Sequence, residues 1–194
     1  QPKRYRESGA KVTFAVTAIL APWFLNQQEL RDFVNQLAGA VTFTGNFVLW
    51  QQTGYFEGAA DLKPLLHVWS LAIEEQYYLL LPPALVFVRP SRWMSGSFVL
   101  VLLSLILCFG GVFKPDATFY LLPTRAWELL IGSAGALWML RGAATGRDAL
   151  GGPGRLLLIP AWLCLLLLPF FPLDDTHPGL NAFLVCVATV IVLL

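Results

Sequence analysis

The sequence predicts an all-α fold, a polytopic membrane bundle of about six to seven hydrophobic helices, and three observations carry that prediction. Of 194 residues, 57% are hydrophobic and 13% charged, with a mean hydropathy of +0.65, which is far from the composition of a soluble domain. Apolar runs recur at about 11–25, 34–50, 71–88, 97–113, 124–140, 156–172 and 179–194, reaching or approaching the roughly 20 residues that cross a hydrocarbon core of about 30 Å. None alternates with a two-residue period, so helices rather than barrel strands must pair the backbone groups in lipid.

The first run follows a basic segment, Lys3, Arg4, Arg6 and Lys11. The second is polar for a span, with Asn35, Gln36, Thr42, Thr44 and Asn46. Two topologies therefore compete. If all seven runs cross, the basic residues divide almost evenly between the two sides. If 34–50 is re-entrant, the N-terminal four join Arg89, Arg92, Arg141, Arg147 and Arg155 on one side, against Arg31, Lys63, Lys114 and Arg125. The second arrangement fits the positive-inside tendency better. In both, the loops bearing His67, Arg125 and His177 share one side. Later runs are joined by connectors such as "RPSRWMSG" and "RGAATGRDALGGPGR", whose Pro, Gly and charge mark loops within one domain. The chain begins at Gln1 and ends inside "LVCVATVIVLL", so residues 1–194 read as a single fragment of a larger membrane domain that has further helices on both sides.

Formal net charge is +1, and no basic tract, zinc spacing, GxGxxG or P-loop occurs, which argues against a nucleic-acid partner. Cys108, Cys164 and Cys186 lie within apolar runs and read as small hydrophobes. Trp23, Trp50, Trp93, Trp138 and Trp162 suit packing or interfacial belts.

Three polar clusters interrupt this background. In "HVWSLAIEEQYY", helical spacing puts His67, Ser70, Leu71, Glu74 and Tyr78 on one face and turns Glu75 away. Two helix starts fit: Pro64 as first helical residue, or Ser70 as N-cap. A carboxylate inside a bilayer costs on the order of 3 kcal/mol without a partner. Glu74 is thus either an acid/base group or a wet helix-end residue favoured by the dipole. In "FYLLPTRAWELLIGSAGALW", Pro123 and Thr124 suit a helix start. Arg125 and Glu128 are spaced for an intrahelical ion pair, while a guanidinium near the membrane also suits phosphate or carboxylate recognition. Gly132, Gly135 and Ala136 suit close helix packing. In "DDTHPG", Asp174, Asp175 and His177 fit a polar turn better than a metal site.

The wording of two stretches closely resembles a known family. "GYFEGAADLKPLLHVWSLAIEEQYYLLLP" and "FYLLPTRAWELLIG" are similar, in order, to the signatures of the membrane acyltransferase 3 family of bacterial surface-glycan O-acyltransferases, and Thr42, Phe43 and Asn46 echo a third. Val68 replaces the usual threonine and Glu57 the usual aspartate. The family's first span, with its basic residue and histidine, and its late tyrosine-leucine-tryptophan-histidine span have no counterpart here.

The resemblance implies a bundle of roughly ten helices in the complete protein, multi-pass in the bacterial inner membrane. It implies transfer of an acyl group, often acetyl, from acyl-CoA to a hydroxyl of a saccharide or lipid-linked glycan such as lipopolysaccharide, without a metal. His67 and Glu74 are then the expected catalytic residues, with Trp69, Ser70, Tyr78, Arg125 and Glu128 at the substrate. The rival reading is a proton-coupled transporter or flippase using the same polar residues, against which the lack of internal repetition speaks. Cysteines placed at 63–67 and at 116–123 are expected to react with an impermeant maleimide from the same side of sealed vesicles; labelling from opposite sides would overturn both topologies.

Overall fold

The computed structural model describes residues 2–53, 63–144, 154–174 and 178–194, with backbone alone at 2–11 and 143–144. Every regular element among these residues is helical. The chain forms two compact units, Gln1–Gln76 and Tyr77–Leu194, and the division falls inside one helix.

The first unit opens with α1 (Pro2–Phe24) and α2 (Gln27–Val41). Between them Asn26 forms a capping box. Its side chain accepts from the Gln28 and Glu29 amides at 2.9 Å each, and the Glu29 carboxylate accepts from the Asn26 amide at 2.8 Å, so three donors at the helix start are satisfied. The core joins Ala21 of α1 to Phe33 and Ala40 of α2, with Leu65 and Val68 from the segment that begins the next long helix.

The 34–50 run is not one helix. α2 ends at Val41, and α3 (Gly45–Gln51) returns against it as a helical hairpin. Phe43 takes the left-handed conformation with φ 58°, and the Thr44 amide donates back to the Gly39 carbonyl at 2.8 Å. This is the backbone of a Schellman stop, with phenylalanine where glycine is usual. A Cβ on Gly39 would lie 2.9 Å from Val48 Cγ2 and 3.1 Å from Gly45 Cα, which explains why the hairpin closes over a glycine. At about 1.5 Å per residue, neither helix could cross a core of about 30 Å alone.

α4 (Val68–Phe87) carries Pro82 and Pro83 internally, which removes two helical hydrogen bonds. In the second unit it leads through a 3-10 turn, Pro90–Arg92, into α5 (Trp93–Phe109). Then come α6 (Pro115–Tyr120), α7 (Leu122–Ala144), α8 (Leu158–Leu167) and α9 (Leu180–Leu193). α5 packs along α7, which also meets α9. Trp127, fully buried, centres this core, with Phe183 and Phe109 at ring separations of 6.0 and 6.5 Å.

The prediction of six or seven spanning helices is met only in part. Among the described residues, Pro90–Phe109 alone is long and apolar enough to cross by itself, while Val12–Phe24, Arg155–Leu167 and Leu180–Leu193 are shorter apolar helices. The 156–172 run stops early because residues 168–170 turn ahead of Pro172.

The three cysteines are free thiols. Of the small residues predicted to pack closely, Gly135 does so: its Cβ would meet Val190 Cγ1 at 2.7 Å, whereas a Cβ on Gly132 meets nothing within 4 Å. Gly135→Leu is therefore expected to lower stability by about 1–3 kcal/mol through overpacking, while Gly132→Ala should be neutral or stabilising by up to about 1 kcal/mol. Thermal unfolding in detergent, read by loss of helical circular dichroism, compares the two.

Candidate active site

In the first unit, residues 64–67 form a turn, closed by Leu66 N–H to Lys63 O and Val68 N–H to Leu65 O, both at 3.0 Å. Leu65 and Val68, 1% and 5% exposed, anchor this turn in the core, and His67 between them is exposed. Two buried apolar neighbours thus hold the imidazole outward. Neither predicted start is the observed one, because α4 begins at Val68. Pro64 lies in the preceding turn, and Ser70 is already helical. Its hydroxyl donates to the His67 carbonyl at 3.4 Å, a local backbone contact rather than a cap.

Along α4, Val68, Ala72, Ile73 and Tyr77 are buried, whereas Ser70 and Tyr78 are exposed and Trp69, Leu71, Glu74 and Glu75 are half-buried. The polar stripe therefore lies largely off the packed face. Gln76 is a residue the motif reading passed over. Its side-chain N–H donates to the Phe43 carbonyl at 2.7 Å and to Asn46 Oδ1 at 2.8 Å, which ties the carboxylate-bearing helix to the strained turn of the hairpin. Asn46 is fully buried. A second amide pair, Gln36 to Gln52 at 2.8 Å, lies beneath the hairpin, and Lys63 donates to the Gln52 carbonyl.

In the second unit, Arg125 and Glu128 form the predicted intrahelical pair in bidentate form. Arg125 Nε donates to Glu128 Oε1 at 3.0 Å and Nη2 to Oε2 at 2.9 Å, with side chains 17% and 22% exposed. The guanidinium also stacks 5.5 Å over the Phe119 ring, a cation–π contact. Phe119 is braced edge-on by Tyr120 at 5.0 Å. Burial, and then the Asp116 carboxylate, push the Tyr120 phenol above its ordinary pKa, so this ring stays neutral.

The backbone beneath the pair is locked by hydroxyls. Thr124, fully buried, donates to the Thr118 and Leu121 carbonyls at 2.8 Å each. Ser104 reaches across from α5, donating to the Pro123 carbonyl at 2.7 Å and accepting from the Trp127 amide at 3.0 Å. Thus in "LPTRAWE" the threonine and tryptophan build the scaffold, and the arginine and glutamate remain accessible.

Tyr78, the expected substrate-binding tyrosine, is 52% exposed; its neighbour Tyr77 is buried and shares a hydrogen bond of 2.7 Å with Ser133. Helical spacing alone does not say which of the two faces the packing. His67, Trp69, Ser70 and Glu74 belong to the first unit, and Tyr78, Arg125 and Glu128 to the second.

No group of three potential metal ligands occurs among the described residues. Asp174 serves its own turn, accepting from the Leu180 amide at 2.8 Å while its carbonyl accepts from Asn181. Asp175 and His177 of that cluster, and Tyr55, Phe56 and Glu57 of the first motif, lie outside the described residues.

No family model matches the chain, and no solved structure does. Among curated proteins it is 34% identical to the provisionally named peptidoglycan O-acetyltransferase YrhL of Bacillus subtilis, over 51% of this chain and 17% of that protein. It is 34% identical to the O-acetyltransferase OatA of Staphylococcus aureus, over 62% and 20%. The provisionally named membrane-bound transacylase BcsY of Komagataeibacter xylinus is 25% identical over 89% of the chain and 44% of its own length. The chain thus spans less than half of each. It is a relative of bacterial O-acetyltransferases and transacylases, in agreement with the acyltransferase 3 resemblance of its motifs.

Gln76→Leu and Asn46→Leu are each expected to destabilise the protein by about 1–3 kcal/mol, the cost of an unpaired polar group. Because they share one hydrogen bond, the double variant should cost at least about 0.5 kcal/mol less than the sum. Denaturant melts of the four proteins test this, and strict additivity would mean that the two residues act separately.

Proposed function

We propose that this chain is the central part of an integral-membrane O-acyltransferase, which moves an acyl group, acetyl in the simplest case, from acyl-CoA to a hydroxyl of a cell-surface saccharide or lipid-linked glycan. One observation carries the reading: the relatives that share its sequence are named for O-acetyl and acyl transfer, and one of them for peptidoglycan as acceptor. A membrane setting, multi-pass in the bacterial inner membrane in this reading, is supported only in its first part by the structure: apolar side chains are left exposed along the helices, among them Phe24 at 79%, Val86 at 81% and Phe87 at 87%. Water would not tolerate such a surface, but lipid does.

In this mechanism His67 accepts the proton of the acceptor hydroxyl as its oxygen attacks the thioester carbonyl. The carbon–sulfur bond breaks, and the coenzyme A thiolate leaves and is protonated. Glu74 orients the imidazole or relays the proton. Arg125, held flat by Glu128 and Phe119, presents a rigid fork to a phosphate, a carboxylate or the developing oxyanion. Trp69, Ser70 and Tyr78 contact the saccharide. The chain's own residues supply this chemistry without a metal.

With the intact protein in detergent, acetyl-CoA and a glycan acceptor should release free coenzyme A and yield an acetyl ester. Glu74→Gln is expected to lower turnover by about two orders of magnitude or more, and Arg125→Lys to impair it strongly, because an ammonium cannot replace a planar fork. A Glu74→Gln protein that keeps most of its activity would reduce Glu74 to a helix-end carboxylate. Saccharide movement across vesicles without coenzyme A release would replace the enzyme by a transporter.

A further inference from the structure

The second unit contains a groove of about 850 Å³, bounded by α5, α7 and α9, whose lining includes none of the residues proposed for acyl transfer. Phe98 and Leu102 of α5 and Val187 of α9 make its walls apolar, and Ser91 and Arg141 stand at one end. The guanidinium of Arg141 reaches the Pro90 carbonyl at 3.5 Å, which brings the end of α7 to the connector that holds Arg89 and Arg92. Arg141 lines this mouth and is the one charged residue in the lining, while Arg89 and Arg92 flank Ser91 in the adjoining connector.

Length sets a second limit. From Ser95 to Leu105 the α5 wall rises about 15 Å at ~1.5 Å per residue, roughly half of a hydrocarbon core of ~30 Å. The groove therefore runs from a basic rim to about the depth of one leaflet. Arginine's planar fork suits a phosphate diester, and a long apolar trough below it suits an acyl tail.

We propose that this groove holds one anionic phospholipid, its phosphate at Arg141 and one tail laid between α5 and α9. The inference rests on the membrane reading but not on the acyl transfer. The lipid belongs to the leaflet on the side of Arg89, Arg92 and Arg141, which the positive-inside tendency makes cytoplasmic.

The intact protein, stripped of lipid in detergent, would be offered phosphatidylglycerol or zwitterionic phosphatidylethanolamine in mixed micelles, and the retained lipid counted by native mass spectrometry. One phosphatidylglycerol per chain is expected, retained at least about tenfold better than phosphatidylethanolamine. Arg141→Glu, at an exposed site, should cut that retention at least about tenfold while gel filtration stays unchanged. Ala134→Trp, which narrows the trough, should abolish it for either headgroup.

Equal retention of the two lipids, or retention indifferent to Arg141→Glu, would overturn the proposal. So would a crosslink showing that another helix of the longer protein fills the groove. Acyl transfer measured on the same samples separates the two readings: selective lipid retention without transfer removes the enzyme and leaves this site, and the converse removes this site alone.

Discussion

A backbone amide or carbonyl left open where a helix starts or stops costs free energy unless something pairs it. At several breaks in this chain a polar side chain is that partner. Asn26 satisfies the start of α2, Asp174 the start of α9, and Gln76 the carbonyl of Phe43, just past the end of α2. Thr124 and Ser104 do the same around the start of α7. These residues decide where helices end, and those ends position the side chains available for chemistry.

Both motif stretches therefore combine two kinds of residue. In the first, Leu65, Val68, Ala72, Ile73 and Tyr77 are packed, while His67, Ser70 and Tyr78 are exposed and Glu74 is half-buried. In the second, Thr124 and Trp127 are fully buried and Arg125 and Glu128 partly accessible. Alternation on one helical turn explains why such stretches are long. The residues that could react need the intervening ones to hold the backbone.

Much of this is legible in the sequence. The helical class follows from long apolar runs without alternation, and the Arg125–Glu128 pair from three-residue spacing. The break inside 34–50 is visible only as an excess of amides and hydroxyls, because phenylalanine in a left-handed turn leaves no turn signal of its own. The start of α4 is displaced from both expected positions because a turn with three-residue bonds precedes it, so proline and serine signals bracket the true start. Gln76 and Ser104 escape a motif reading for a common reason: each partner is distant in sequence, and a single polar residue beside an apolar run reads as incidental until its contact is known. Spacing favours Tyr78 over Tyr77 because a helical wheel orders residues around an axis without saying which side is packed.

The hydroxyl of Ser104 lies between the Pro123 carbonyl and the Trp127 amide, a pair that four-residue helical spacing would join directly. One atom of α5 is thereby spliced into the ladder of α7, through a single oxygen that donates one hydrogen bond and accepts another. Only another short hydroxyl, threonine's, could fill that place. An aliphatic replacement would leave the Pro123 carbonyl and the Trp127 amide without that bridge, in the same turn that carries the guanidinium at 125, so a buried alcohol on one helix supports the backbone under a charge on the next.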